Sequence, residues 1–268
     1  MALFIVAVPI GNLEDISERA KNTLRHCTLI VGEDAKPLRA LVARLKLEKK
    51  ELFFLNEHTK DQELAEISAL LDAHDVALVS DEGTPVFCDP GRKLLLECQK
   101  KSVRVVPVPG ASSLMATLSC CPLEINEFVF AGFLPREHEL RKERLSRHID
   151  DGRPIVLMDT PYRLTRLLSE LSELGFDRRI FLATNLTHEN EHLYLGTVGE
   201  TLSAVGPTKA EFVLVLEGQI KASDNSKERQ KTLNNTAVPP KVTQPSKLRG
   251  EHQKARANKQ NRRKFRSR

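Results

Sequence analysis

Three groups of residues able to do acid–base chemistry stand at the ends of apolar runs. Glu33-Asp34 closes Leu29–Gly32, Glu57-His58 closes Leu52–Leu55, and Asp81 follows Val76–Ser80. A carboxylate or imidazole so placed accepts a proton from a substrate hydroxyl when it lies within hydrogen-bond reach. One such group is ordinarily just solvated; three converging on one sheet edge are less usual. The third group opens the most informative stretch of the chain, Asp81-Glu82-Gly83-Thr84-Pro85-Val86-Phe87-Cys88-Asp89-Pro90-Gly91. Gly83 and Gly91 permit backbone conformations that a Cβ blocks, while Pro85 and Pro90 stiffen the rest. This composition predicts a rigid ligand-binding loop at the carboxyl edge of an open sheet rather than a plain turn, without naming the ligand.

Two further loops have the same setting. Val8-Pro9-Ile10-Gly11-Asn12 joins a strand to a helix, but with one glycine and no Walker lysine it is not a dinucleotide fingerprint. A simple strand–helix turn and a binding loop fit its spacing equally. Pro107-Val108-Pro109-Gly110-Ala111-Ser112-Ser113 offers small side chains and free N–H groups at a helix start, which suits polar ligand atoms; the same serines also serve as an N-cap.

The elements that must position these loops alternate. Strands are predicted at Leu3–Val8, Leu29–Gly32, Leu52–Leu55, Val76–Ser80 and Val103–Val106, with helices at Ile16–Leu24, Leu38–Leu47, Glu63–Ala73, Lys93–Lys100 and Ser112–Ser119. Such alternation implies a largely parallel sheet covered on both faces. The second half is less regular. Strands are predicted at Glu127–Ala131, Ile155–Met158, Ile180–Ala183, His192–Gly196 and Glu211–Glu217, with helical character in Glu137–His148 and an amphipathic helix over Arg163–Leu174. The last strands alternate apolar and polar residues, as antiparallel strands do. The stiff Pro-Val-Pro-Gly connection marks a boundary, giving domains over residues 1–110 and 111–218.

Charge divides the chain unequally. Residues 1–218 carry a net charge of −7 and residues 219–268 a net of +12. The tail is poor in apolar residues and is read as disordered. Lys254, Arg256, Lys259, Arg262, Arg263, Lys264, Arg266 and Arg268 suit it to polyanion contact, RNA before anionic membrane, because it lacks an apolar anchor. Five cysteines with no C-x-x-C pair argue for a reduced, cytoplasmic setting and against a disulfide framework or structural zinc. The apolar start lacks a basic leader, and no run is long enough to span a bilayer.

Taken together, these loops resemble a known family. Val8–Ile16 is similar to its first loop, Glu33-Asp34 and Glu57-His58 stand where it has E-D-T-R and H-E-H-N, and Ser80–Pro85 with Asp89-Pro90-Gly91 matches S-D-A-G-T-P-x-x-x-D-P-G. Pro109–Ser113 and Gly132-Phe133-Leu134-Pro135 also fit. The family is the small-subunit (16S) rRNA (cytidine-2′-O)-methyltransferases of the tetrapyrrole methylase superfamily, and the resemblance spans roughly residues 3–218. It implies two α/β domains, the first with a largely parallel sheet and the second mixed, a homodimer, and S-adenosylmethionine (SAM) between the domains. It places Pro9, Thr84, Phe87, Ala111, Ser112, Ser113 and Met158 around SAM, with Asp81 bracing the pocket, and Glu33, Asp34, Glu57 and His58 towards the acceptor. No metal is implied.

The chain departs from the family pattern on the acceptor side. Ala35-Lys36 replaces Thr-Arg, Met158-Asp159-Thr160-Pro161-Tyr162-Arg163 replaces Y-E-S-P-H-R, and Ala183-Thr184-Asn185-Leu186-Thr187-His188 replaces A-R-E-L-T-K. Lysine lacks the planar fork with which arginine grips phosphate or carboxylate. The departures leave room for a small-molecule methyltransferase, such as one acting on a tetrapyrrole, or for a non-catalytic RNA-binding paralogue.

Overall fold

Five short strands, β1 (Ala2–Val6), β2 (Leu29–Gly32), β3 (Glu51–Phe54), β4 (Val76–Leu78) and β5 (Arg104–Val108), pair in parallel in the order β3-β2-β4-β1-β5. The computed structural model describes residues Met1–Gln219, so residues 220–268, which hold every lysine and arginine of the basic tail, lie outside the described residues. Helices α1 (Glu18–His26), α2 (Ala35–Arg44), α3 (Asp61–Leu70) and α4 (Arg92–Lys100) connect these strands. Both faces of the sheet are covered, as the unbroken apolar runs require. Leu3, Val31 and Leu78 pack with Leu64, Ile67, Leu94 and Cys98 on one face. Val6, Ile30 and Ala77 pack with Ala20, Leu24 and Leu38 on the other.

The strand order places the binding loops. The chain leaves β1 towards β2 and leaves β4 towards β5 on the far side, so a crevice opens beyond the carboxyl ends of β1 and β4, where open sheets bind ligands. The loops after these strands are stitched together: the Val8 amide donates to the Gly83 carbonyl at 2.8 Å, and the Gly83 amide to the Pro9 carbonyl at 3.4 Å. Gly83 has φ +74°, a conformation that favours glycine.

Helix α5 (Ser113–Cys120) leads to a second, mixed sheet of β6 (Val129–Gly132), β7 (Ile155–Asp159), β8 (Ile180–Thr184), β9 (His192–Gly196) and β10 (Phe212–Leu216), in the order β6-β7-β10-β8-β9. Only β6 and β7 run parallel; the remaining pairs are antiparallel, as the alternating pattern implies. Helices α6 (His138–Asp151), α7 (Leu164–Glu173) and α8 (Val198–Val205) complete this half. Leu145, Leu164, Leu168, Val198 and Leu171 bury one sheet face. Ile10 joins Val156, Phe181, Val213 and partly buried residues of α5 on the other, so the first loop of the chain is part of the second sheet's core.

Most element boundaries shift by one to three residues from the sequence expectation; two shifts at helix starts and one unpredicted helix have clear local causes. The helix predicted from Ile16 begins at Glu18, because Leu13–Asp15 forms a 3-10 turn capped by Asn12, and Ser17 then caps α1. The helix predicted from Leu38 begins at Ala35, one residue after Asp34. Helix α8 was not predicted, although Thr197 and Glu200 form a reciprocal capping box at its start.

A buried ion cluster fixes α6 to α7. Arg141 and Glu170 are each 1 % exposed and are joined by a hydrogen bond from Arg141 Nε to Glu170 Oε2 at 2.7 Å. Arg141 Nη1 also donates to the carbonyls of Pro135 and Arg136. Burial alone pushes the Glu170 carboxyl up, but hydrogen bonds from Arg141 and His138 outweigh it and hold the group at about 2. Among the described residues, no helix is long and apolar enough to cross a membrane.

Candidate active site

Two adjoining cavities occupy the cleft between the sheets and share Glu82, Asp89, Ser113 and Met158 as walls. The smaller, about 530 Å³, is lined by Gly83, Thr84, Phe87, Pro109, Gly110, Ser112, Ser113 and Met158, among others. Its volume suits a cofactor-sized ligand. The Thr84 hydroxyl donates to the Ala111 carbonyl at 2.9 Å, tying the β4 loop to the β5–α5 loop. Ser112 caps α5, so the small residues that open the helix are held at the cavity wall.

The larger cavity, about 630 Å³, is lined by Glu33, Ser80, Asp81, Asp89, Asp159, Asn185, His188 and Glu211 on its polar side. Its apolar wall includes Met158, Val213 and Ala183, which are direct partners across β7, β10 and β8. The carboxylates crowd one another. Burial pushes Glu33 up to about 7, and the charges of Asp89, Asp81, Asp34 and Glu57 add to the effect. Burial also raises Asp89 and Asp81; the Asp34 amide partly offsets this at Asp81 by donating to its Oδ1 at 3.2 Å.

The structure brings together Thr84, Phe87, Ser112, Ser113 and Met158 on the smaller cavity, and Glu33 and Asp81 on the larger. Pro9 and Ala111 line neither cavity, but their carbonyls accept the hydrogen bonds that join the loops. Asp34, Glu57 and His58 line neither cavity. Asp34 is the exposed N-cap residue of α2, and Glu57 and His58 form an exposed pair at 3.4 Å beyond edge strand β3.

Sequence reading did not single out Asp89, Asp159 or Glu211 as site residues. Asp159 Oδ1 accepts from the Thr160 amide at 2.6 Å and from Arg163 Nε at 2.7 Å, while its buried Oδ2 has no hydrogen-bond partner among the described residues. Asp89 was within reach of the sequence, as the second acid of the Gly/Pro loop. The departures also have local accounts. Thr184 is buried, with its hydroxyl on the His192 carbonyl at 3.3 Å. Asn185 adopts φ +47°, which asparagine tolerates better than most residues.

The pattern of the Tetrapyrrole (Corrin/Porphyrin) Methylases matches residues 2–202. Ribosomal RNA small subunit methyltransferase I of Neisseria meningitidis serogroup B is 39 % identical over 219 residues, covering 80 % of this chain and 75 % of that protein. The protein of the same name from Thermotoga maritima is 37 % identical over 81 % of this chain and 98 % of its own length. Among solved structures, diphthine synthase superposes with a TM-score of 0.66 at 15 % identity, covering 81 % of this chain and 90 % of that one. The methyltransferase CobJ gives 0.61 at 15 %, covering 81 % and 93 %. At these identities the structural likeness concerns the fold. The chain belongs to the tetrapyrrole methylase family and is a SAM-dependent methyltransferase.

The cleft suits SAM on its own chemistry. The ligand is a cation at its sulfonium, and Asp81, Glu82 and Asp89 with the exposed Phe87 ring offer the carboxylates and π-face that favour one.

Proposed function

We propose that this protein methylates the ribose 2′-oxygen of a cytidine in small-subunit rRNA. The carrying observation is Glu33, the one of the four sequence-proposed acceptor-side groups that lines the cleft, with its carboxyl raised by burial to about 7. A general base works best when its pKa lies near the operating pH. The names of the relatives at 36–39 % identity support the choice of acceptor.

Thr84, Phe87, Ser112, Ser113 and Met158 would hold SAM, with Asp81 bracing the loop and the carbonyls of Pro9 and Ala111 fixing its shape. Bound SAM supplies an activated methyl group. Glu33 would accept the 2′-hydroxyl proton while the methyl passes from the sulfonium to that oxygen; the sulfur–methyl bond breaks, the neutral thioether S-adenosylhomocysteine leaves, and the acceptor oxygen has exchanged a proton for a methyl. The two walls hold donor and acceptor in line and exclude water. The acidic interior repels phosphates. The acceptor nucleoside therefore enters alone, extruded from its strand, while the backbone stays at the rim.

This reading includes a first domain, residues 1–110, carrying the acceptor side, a second, residues 111–218, completing the cleft, and a homodimer in the cytoplasm. The tail of residues 219–268 contacts rRNA phosphates through its lysines and arginines, which agrees with its net charge of +12. The test offers labelled SAM and the purified full chain to small ribosomal subunits from cells lacking this gene. Transfer to rRNA is expected. Label only on a small-molecule acceptor would replace the proposal.

A further inference from the structure

We propose that Tyr162 and Lys209 form a nucleotide platform at the rim of the larger cavity: the ring stacks on a base of single-stranded RNA beside the acceptor nucleotide, and the ammonium meets its phosphate. This rests on the reading of the chain as an RNA methyltransferase and extends it to residues outside the cleft. Tyr162 is 74 % exposed, more than any other large apolar side chain among the described residues. Isolated exposed rings are common and mean little alone. This one is held: Lys209 Nζ lies 4.6 Å from its centroid. Lys209 has no ion-pair partner among the described residues, so its charge is available to a ligand.

Strand register explains the juxtaposition. Asp159 at the end of β7 pairs with Phe212 at the start of β10, so the segments beyond them run side by side. Thr160 and Pro161 line the larger cavity on one segment and Glu211 on the other, which puts the ring and the ammonium next to the acceptor-side opening. Pro161 starts a 3-10 turn over Pro161–Arg163, and Arg163 pins it by donating to Asp159 and to the carbonyls of Pro135 and Leu134. Phe133, exposed and on the same cavity, offers a second apolar face nearby.

Charge and shape choose the partner. The cavity is acidic inside, while this part of its rim carries a cation over an aromatic ring. A base on the ring and a phosphate on the ammonium match one nucleotide outside the cleft. Bases splayed from a single strand are bound by stacking on aromatic side chains, and the gain is largely independent of sequence.

The test compares full-length wild type with Tyr162→Ala, Tyr162→Phe and Lys209→Gln. Steady-state transfer to small ribosomal subunits is measured beside SAM affinity by calorimetry. Tyr162→Ala is expected to raise KM for subunits about tenfold, with kcat and SAM affinity within about twofold of wild type. Tyr162→Phe keeps the ring and is expected to keep KM. Lys209→Gln is expected to flatten the salt dependence of KM. Unchanged KM for Tyr162→Ala, with wild type methylating rRNA normally, would overturn the platform and leave the function standing. Absence of any transfer to RNA by wild type would overturn the function and the platform with it.

Discussion

The backbone amide of Asp34 donates to Asp81 Oδ1 across 3.2 Å, joining the end of β2 to the loop after β4. With the parallel pairing of β2 and β4, this bond places Glu33, the residue before Asp34, among the carboxylates of the binding loop. Its raised pKa follows from that placement, through burial first and then the charges of Asp89 and Asp81.

A pH profile reads this directly. kcat/KM is expected to rise as pH passes through about 7, where Glu33 loses its proton. Glu33→Gln is expected to lower kcat by roughly 10²–10⁴ and abolish the step, with SAM binding retained. Glu57→Gln removes a like charge and is expected to move the midpoint down.

Linkage gives Glu33 a second signature. Its folded pKa lies above the ordinary glutamate value of 4.5, so the native state holds the proton longer than the unfolded chain. Stability from this group therefore falls as pH rises from about 4.5 to 7. Glu33→Gln is expected to raise the melting temperature at pH 8 more than at pH 4.5, an effect on the order of 1 kcal/mol after solvent screening. Thermal melts at the two pH values check the sign.

Thr84→Arg tests the donor side. Thr84 lines the smaller cavity and bonds Ala111, so a long cationic side chain there obstructs the space and repels the sulfonium. SAM binding is expected to be lost in calorimetry while the apo protein keeps its circular dichroism spectrum.

Gly11→Ala tests how the two sheets meet. A Cβ on Gly11 would lie 2.7 Å from both His188 Cδ2 and Thr187 Oγ1, and the next amide, Asn12, donates to Thr187 Oγ1 at 3.0 Å. Forcing these loops apart is expected to cost about 1–3 kcal/mol in urea unfolding and to weaken SAM binding.

Glu170→Gln leaves the Arg141 guanidinium buried without its counter-charge, a loss of about 3–5 kcal/mol at pH 7. The folded pKa of about 2 lies below the ordinary glutamate value of 4.5. The stabilisation is therefore full above about pH 4.5 and disappears as pH falls towards 2. Urea denaturation should show the gap between variant and wild type narrowing below pH 4.

Much of the architecture is legible in the residues. The apolar runs mark all five strands of the first sheet, and the Gly/Pro loop after β4 marks the cleft. Pairing order and register are not local properties. Glu57-His58 closes a strand just as Glu33-Asp34 does, yet β3 is an edge strand two positions from β4, roughly 10 Å away. Asp159 and Glu211 reach the cleft because β7 and β10 pair in one particular register. In that register Leu157 of β7 and Leu214 of β10 face each other and share one core cluster with Leu164 of α7, a tertiary arrangement that neither segment specifies alone. Helix α8 could have been read from Thr197 and Glu200; its interior, Gly199 included, obscured the apolar stripe.

The central claim is best tested by mapping ribose methylation on small-subunit rRNA, using resistance to alkaline cleavage at single-nucleotide resolution. Subunits from cells lacking this gene are treated with SAM and either wild type or Glu33→Gln. The account predicts one newly protected cytidine with wild type and almost none with the variant. An unprotected rRNA after treatment with SAM-binding wild type, or equal protection by both proteins, would contradict it.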